Sequence, residues 1–315
     1  SGADGKPTWV FYANVGQAVG GFGIHSKEYP MTPFDSAFLA YQNIPLKSFR
    51  TFVQVDDKKI IEPFSIDKKC DLIIERSKIT IVNRNKYFDI SITYSALSHT
   101  DYPGLIRKVS INSKDKHAYK IIDGLSIYLP KGLSNYSYHE LTTLSSAYCN
   151  VDLNNNAPYL TYTNRGGDEA KIVLEEDGNA FISIDNKNNR LISLVDPSIL
   201  FKHDDAFIKP LGFSDCFKNT LDQNIANKIP CAFSIKETNL NKNEEYSFIS
   251  LFASFESKRH FNNVLKTLTY DYLDKQIAIT EELIDSLLPN VETNNPLLDE
   301  YIKQCYLDNS LRGGF

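Results

Sequence analysis

The chain has 315 residues, of which 42% are hydrophobic and 12% aromatic, and this composition is typical of a globular protein. Its formal net charge is −5, with lysines and aspartates interspersed, which argues against binding to nucleic acid, because phosphates require a clustered basic surface. No apolar run approaches the roughly 18 residues that a membrane-spanning helix needs, so we predict a soluble protein without a membrane partner.

The cysteines are scattered, with no CxxC pair and no Cys/His spacing typical of a metal site. We therefore expect reduced, mostly buried thiols, no bound metal and a cytoplasmic location. The first residues, Ser1 to Ala3, resemble the remnant of a cleaved tag, so we expect a domain of a longer protein. The cysteines are Cys70, Cys149, Cys216, Cys231 and Cys305.

The amino-terminal third of the chain predicts antiparallel strands. An apolar strand around Trp9 leads into a segment with glycines at 16, 20, 21 and 23. These glycines favour strand bends over a phosphate-binding loop, because no helical pattern follows them. Phe49–Asp56 alternates in the manner of a strand, and Lys78–Asn83 with Tyr87–Ala96 predicts a hairpin.

The stretch from Tyr102 to Gly132 predicts two long strands joined by a polar turn. The second strand carries apolar residues on both faces, so we expect it to be covered on both sides. Asp123 falls on an apolar face of this strand, and a buried carboxylate needs a partner. A strand bulge with Asp123 bonded to backbone is favoured, and a site carboxylate is the alternative.

The middle of the chain predicts further hairpins, whereas residues 197–229 show no period and give no assignment. Each predicted hairpin has two apolar arms around a polar loop. The predicted arms are Leu160–Asn164 with Ala170–Glu175, Ala180–Ile184 with Arg190–Val195, and Cys231–Lys236 with Tyr246–Phe255.

After Phe255 the period changes from strand to helix. Asp271–Leu288 has apolar positions at helical spacing, and Asn295 is placed as the N-cap of a second helix that begins at Pro296. The sequence thus predicts a mainly β, antiparallel protein followed by carboxy-terminal helices. We place the boundary between a β domain of residues 1–260 and a helical part of residues 261–315.

Several stretches resemble the amino-terminal domain of proteins related to cellobiose phosphorylase, the inverting phosphorylases of glycoside hydrolase family ninety-four and related β-1,3-glucan phosphorylases. The most similar run is DGLSIYLPKG (Asp123–Gly132). The other runs are PGLIRKVSI (Pro103–Ile111), IPCAFS (Ile229–Ser234), NVGQAVGGFGIHSKEYPM (Asn14–Met31) and LDNSLRGGF (Leu307–Phe315).

This resemblance implies a galactose mutarotase-like β-supersandwich, a helical linker and the start of an (α/α)6 catalytic barrel. It implies that the chain is the non-catalytic, carbohydrate-associated domain of a β-glucan or cello-oligosaccharide phosphorylase, a glycosyltransferase of carbohydrate metabolism. The full-length enzyme would use inorganic phosphate as co-substrate and release glucose 1-phosphate. The implied partners are the oligosaccharide, the barrel domain and possible homodimer subunits, and no catalytic residue or cofactor is expected in this chain.

Arg312 is the candidate substrate-binding residue. Arg312-Gly313-Gly314-Phe315 is similar to an Arg-Gly-x-Gly-Tyr run of the family whose arginine contacts the non-reducing sugar, although one residue is missing and phenylalanine replaces tyrosine. A planar guanidinium suits adjacent sugar hydroxyls. The alternative is an arginine that neutralises the end of a helix.

Other candidates are weaker. The carboxylate runs Glu175-Glu176-Asp177 and Asp204-Asp205 are typical of solvated loops, and the histidines are far apart, with His139-Glu140 expected on opposite faces of a strand. Exposed tyrosines such as Tyr136 and Tyr138 could stack on sugar rings. The alternative function is a stand-alone carbohydrate-binding or mutarotase-like module, and a mutarotase-like sandwich needs a histidine and a glutamate that converge in its concave face.

Overall fold

Two antiparallel sheets pack face to face in this chain, which confirms the predicted mainly β fold with carboxy-terminal helices. The computed structural model describes residues 8–154, 156–163, 176–218 and 221–311. The strands are β1 (Thr8–Tyr12), β2 (Val19–Ile24), β3 (Phe49–Val55), β4 (Ile60–Ile61), β5 (Asp71–Ile74), β6 (Lys78–Arg84), β7 (Phe88–Ala96), β8 (Gly104–Ser113), β9 (His117–Leu125), β10 (Cys149–Asn154), β11 (Ala157–Tyr162), β12 (Gly178–Asp185), β13 (Ile192–Leu194), β14 (Ala232–Leu240) and β15 (Glu245–Phe255).

The larger sheet has eight strands in the order β10-β11-β12-β15-β8-β7-β6-β5, and the smaller one has five in the order β13-β14-β9-β3-β4. Their facing sides bury one apolar core, in which Phe49 and Ile121 of the smaller sheet meet Val109 and Phe252 of the larger one. The apolar positions of these strands recur every second residue, so each strand places them on one side of its sheet.

The strand predictions are largely confirmed, and the hairpin of β6 and β7 pairs as expected. The strands β8 and β9, however, do not pair with each other, because β8 lies between β15 and β7 and β9 lies between β14 and β3. The predicted hairpin of β14 with β15 is wrong for the same reason. The hairpin predicted from Ala180–Ile184 and Arg190–Val195 forms only at its turn, where Ile184 bridges to Arg190 and the Leu191 amide donates to the Ser183 carbonyl at 2.9 Å, before β13 joins the smaller sheet. In each case a short polar loop carries the chain from one sheet to the other.

The strand β9 is covered on both faces, as its sequence predicts. Tyr119, Ile121 and Leu125 face the core between the sheets, whereas Ile122 packs under the irregular segment that follows β13. The turn of residues 165–168 and the arm Ala170–Glu175 of another predicted hairpin lie outside the described residues.

The irregular segment of residues 197–218 contains α4 (Pro197–Phe201) and a short 3-10 helix (Phe213–Phe217), which the sequence does not predict. The side chain of Arg50 in β3 binds this segment to the smaller sheet. Its guanidinium pairs with Glu62 at 2.7 Å and donates to the carbonyls of Phe207 and Ile208. Only 2% of the Arg50 side chain is exposed. Residues 197–218, which we call the aromatic flap, therefore cover the outer face of the smaller sheet.

The amino-terminal strands β1 and β2 form a separate two-stranded sheet, so the glycines at 20, 21 and 23 lie within a strand whose pairing shifts register between Phe11 and Tyr12, consistent with the predicted strand bend or bulge. The helix α1 (Ala37–Lys47) packs closely on it, because a Cβ at Gly20 would lie only 2.5 Å from the Cδ1 atom of Ile44. Two short helices, α2 (Asn135–Glu140) and α3 (Thr142–Ser146), lie between β9 and β10 along the chain.

The outer face of the larger sheet is covered by α5 (Lys258–Val264) and α6 (Tyr270–Ser286). The apolar stripe of α6 is therefore buried within this chain, with Leu273 fully buried. Polar contacts fix the helix, including Thr280 to the Ala96 carbonyl at 2.8 Å and Lys108 to Asp274 at 2.7 Å.

The last helix, α7 (Pro296–Leu311), begins as predicted, with the side chain of Asn295 accepting from the Leu297 and Leu298 amides at 3.2 and 3.4 Å. In the described part of the chain, no helix has both the length and the apolar character that crossing a membrane requires.

Candidate functional site

A cleft of about 880 Å³ opens at the end of the larger sheet where β15 and β11 finish and β8 and β12 begin. Six separate stretches of the chain meet here. They are the loop after β2, the loop before β8, the segment that contains α2 and α3, the ends of β11 and β12, and the link from β15 into α5. A cavity of this size is in the range of small-molecule sites.

Aromatic rings form part of the wall of this main cleft. Tyr102 and Phe255 stack with ring centroids 4.9 Å apart, and the imidazole of His260 meets the Phe255 ring edge-on at 5.5 Å. Burial raises the pKa of the Tyr102 hydroxyl well above its usual range, so this phenol stays neutral. The side chains of Tyr102 and Phe255 are only 4% and 1% exposed, so they form an apolar base of the cleft rather than an open stacking surface.

A histidine and a carboxylate converge at the rim. His260 Nε2 lies 3.0 Å from Asp101 Oδ2, and the imidazole is 23% exposed. The two groups are within ion-pair distance, yet Nε2 has no aligned hydrogen-bond partner. The helix α5 fixes the histidine, because its N-cap Ser257 accepts from the His260 amide. An imidazole beside a carboxylate is an arrangement that general acid–base catalysis uses.

The segment that contains α2 and α3 contributes hydroxyl groups to the lining of the main cleft. Ser134 caps α2 by accepting from the Ser137 amide at 3.0 Å, and the Ser145 hydroxyl donates to the Ser137 carbonyl at 3.1 Å. His25 lies beside them with a backbone φ of 60°, a conformation that is uncommon outside glycine and occurs often at functional sites.

A side cleft of about 680 Å³ adjoins the main one, and Tyr29 and Ser134 line both. Phe34, Asp35, Asn135, Tyr136 and His139 form its remaining walls with neighbouring residues. Because His139 and Glu140 end the helix α2, their prediction as strand neighbours is wrong, and both line this side cleft.

Asp123 is a structural residue rather than part of the cleft. Its carboxylate pairs with Arg107 in the core, and β9 keeps regular register with both neighbours at this position, so the expected bulge is absent. The signal for its partner is present in the sequence, because Arg107 occupies the same alternating face of β8 as Leu105 and Val109.

The other candidates have varied positions. Arg312 and the residues after it lie outside the described residues, as does Glu175. Asp177 pairs with Lys131 at 3.1 Å beside the main cleft, and Asp204 accepts from the Lys209 amide at 2.9 Å at the surface. Tyr136 is 69% exposed as expected for a sugar platform, whereas Tyr138 is buried.

Sequence reasoning missed Asp101, Tyr29 and His260 as a group, because they are far apart along the chain. The local signal is limited to position, since Asp101 lies between two predicted strands and His260 lies shortly after the last predicted strand. Across the described ranges, no three His, Cys, Asp or Glu side chains converge in a way that could hold a metal ion.

Comparison with known proteins gives structural likeness alone. No family model matches the chain. No curated protein sequence matches it. Among solved structures, a bacterial glucoamylase complexed with acarbose aligns with 97% of this chain at 13% identity and a TM-score of 0.49. A polysaccharide lyase aligns with 81% of this chain at 7% identity and a TM-score of 0.45. A candidate kojibiose phosphorylase from the human microbiome aligns with 76% of this chain at 12% identity and a TM-score of 0.38.

The chain covers 38%, 33% and 28% of the lengths of these three proteins, respectively. With identities this low and TM-scores below 0.5, the likenesses carry no conclusion about activity or ligand.

Proposed function

We propose that this chain is a carbohydrate-binding β-sandwich and that the main cleft is its sugar site. The observation that carries this proposal is the lining of the cleft, which combines the 51% exposed ring of Tyr29 and the apolar base of Tyr102 and Phe255 with the hydroxyl groups of Ser134, Ser137 and Ser145. Sugars present an apolar ring face and a rim of hydroxyls, and such a lining complements both.

We further infer that the module is the non-catalytic amino-terminal domain of an inverting β-glucan or cello-oligosaccharide phosphorylase. Its support is the sequence resemblance together with the surface of α7. There Leu297, Leu298 and Tyr301 are 85%, 44% and 66% exposed, although the stripe of α6 is buried. An apolar face of this kind becomes buried when another domain or a second subunit packs on it.

In this proposal the chain scaffolds the barrel, and the general acid and the phosphate site belong to the barrel. Phosphate acts as the nucleophile, so the protein supplies one carboxylic acid instead of the two that a glycoside hydrolase uses. Arg312 would contact the sugar at the start of the barrel, and the isolated chain would turn nothing over.

The test measures glucose 1-phosphate released from laminaribiose or cellobiose with inorganic phosphate. We compare the 315-residue chain with a longer protein that carries it at the amino terminus, and with Arg312→Ala in that longer protein. Product from the longer protein alone, reduced by Arg312→Ala, is the expected result. Product from the pure chain, or no product from either protein, would contradict the phosphorylase assignment.

A second candidate function is favoured by the pair of His260 and Asp101 in the main cleft. A mutarotase-like activity needs one group to remove the anomeric hydroxyl proton and another to protonate the ring oxygen. Polarimetry of freshly dissolved α-glucose tests this candidate. Faster equilibration with the chain, lost in His260→Gln, would favour it over simple binding, and an unchanged rate would exclude it.

A further inference from the structure

We infer that the ligand of this module is a neutral oligosaccharide rather than a single sugar, bound along the main and side clefts as one continuous groove. This inference rests on the proposed carbohydrate-binding function and adds the length and charge of the ligand. It follows from the residues that the two clefts share, from the hydrogen bonds that hold the backbone beside Tyr29, and from the charges along both clefts. We call the boundary between the clefts, at Tyr29 and Ser134, the ridge.

The two clefts join at Tyr29 and Ser134, which line both. Their volumes are about 880 and 680 Å³, and a complete drug-sized ligand occupies a site of roughly 300–1,000 Å³. One hexose would leave most of this space filled with water. A chain of several sugars, which crosses the ridge at Tyr29, uses the whole groove.

Two aromatic side chains stand exposed along this path. Tyr29 is 51% exposed at the ridge, and Tyr136 is 69% exposed in the side cleft. Tyr29 lines both clefts and Tyr136 lines the side cleft alone, so each can stack on a different sugar of an extended chain.

The backbone beneath these two tyrosines is held rigidly. The Asn135 amide donates to the Glu28 carbonyl at 2.7 Å, and thereby ties the residue before Tyr136 to the residue before Tyr29. The Asn135 side chain also accepts from the Phe34 amide at 3.0 Å and donates to the Phe34 carbonyl at 2.9 Å. Rings on a fixed backbone lose little entropy when a ligand arrives, which is the pattern of a preorganised site.

The charges along the groove disfavour an acidic glycan. Carboxylates outnumber lysines in both clefts, with Asp101 and Glu256 against Lys131 in the main cleft. In the side cleft Glu28, Asp35 and Glu140 stand against Lys27. A uronic acid or sulfated chain would meet like charge at several points, whereas a neutral glucan would not.

Calorimetric titration of the 315-residue chain tests the inference with glucose, with β-1,3- and β-1,4-linked glucans of two to six sugars, and with an acidic oligosaccharide of six sugars. We expect affinity to rise with length beyond the disaccharide in one of the neutral series, and the acidic chain to bind at least tenfold more weakly. Tyr136→Ala should weaken the hexasaccharide about five- to tenfold and leave the disaccharide unchanged, since one aromatic contact contributes about 1 kcal/mol.

Three further variants act as controls. Tyr29→Phe keeps the ring and should retain the affinity for every oligosaccharide, whereas Tyr29→Ala should weaken binding of every oligosaccharide longer than the disaccharide. Tyr301→Ala removes an equally exposed tyrosine on α7 and should leave all affinities unchanged. Circular dichroism establishes that each variant is folded. Disaccharide binding with no gain from longer chains, or preference for the acidic chain, would overturn this inference and leave the binding function in place. Absence of binding to every sugar would overturn both.

Discussion

Arg107 and Asp123 form an ion pair between the two sheets in which neither side chain has any exposed surface. Arg107 Nη2 and Nε lie 2.6 and 3.0 Å from the two carboxylate oxygens. The remaining donors of the guanidinium reach Gln17, Thr51 and Tyr94, and its plane lies over the ring of Phe49. The pair thus joins β8 of the larger sheet to β9 of the smaller one through a fully bonded polar cluster.

Breaking this pair is expected to destabilise the fold strongly. Asp123→Leu or Arg107→Met should each lower the free energy of unfolding by about 3–5 kcal/mol, because the partner is left charged and buried. The double variant should be more stable than the sum of the single losses predicts, and urea denaturation of all four proteins measures this coupling. Strictly additive losses would mean that the pair has no special role.

A surface pair gives the matched control. Arg84 and Asp71 also form an ion pair, but their side chains are 59% and 55% exposed. Arg84→Met makes the same chemical change and should cost less than about 1 kcal/mol, since exposed pairs are screened by water and salt.

The stability of the protein should depend on pH through Asp185. Its side chain is fully buried at the turn after β12, and it accepts from the Lys187 and Asn189 amides at 3.0 and 2.8 Å and from Lys236 at 3.0 Å. Burial acts to raise the pKa of this carboxyl, but the bonds from Asn189 and Lys236 outweigh it, so the folded pKa is lowered.

A lowered folded pKa stabilises the protein above the unfolded value of about 3.9, and this stabilisation is lost as the pH falls through the folded pKa. Asp185→Asn should therefore be less stable at pH 7 and should lose less further stability below about pH 4. Thermal melts from pH 7 to 3 measure the difference. Asp205→Asn, at an exposed position, makes the same charge change and should follow the parent curve.

Gly124 should tolerate no side chain. Its φ is 152°, and a Cβ there would lie 1.9 Å from the Ala232 carbonyl oxygen of β14. Gly124→Ala must push two paired strands apart, so we expect a loss of more than about 4 kcal/mol or failure to fold. Gly16→Ala measures backbone strain without a clash, because φ at Gly16 is 56° but a Cβ there would lie 3.4 Å from its nearest neighbouring atom. We expect this variant to lower the free energy of unfolding by about 1–2 kcal/mol.

The thiols should differ sharply in reactivity. Burial raises the pKa of the Cys149 and Cys216 thiols to about 12 and that of the Cys231 thiol well above its usual range. These three thiols should react with iodoacetamide only after unfolding, because the thiolate is the reacting form. Cys305, on α7, is partly exposed and should be labelled in the native protein.

Peptide mass mapping after brief labelling at pH 8 measures these reactivities. Cys305→Ser should remove most of the fast labelling. Rapid modification of Cys231 in the folded protein would show that the aromatic flap of residues 197–218 opens.

The local pattern of the sequence determines where most strands and the last two helices lie. Alternation predicts β3, β6 and β7, and helical spacing with Asn295 as a cap predicts α6 and α7, because burial on one face leaves a period in the sequence. The buried carboxylate at Asp123 is also visible, since a charged residue interrupts an apolar face. These features depend on near neighbours along the chain, which the sequence contains directly.

Which strands pair, and where the candidate site lies, are decided only by the tertiary structure. A polar loop between two apolar arms serves a hairpin and a crossover between sheets equally well, so β8 with β9 and β14 with β15 look like hairpins although each joins opposite sheets. The main cleft likewise gathers Tyr29 and Asp101 from two loops and His260 from α5, which are far apart in sequence. Such contacts depend on the packing of whole sheets, and the alternation of residues within one strand does not encode its partner.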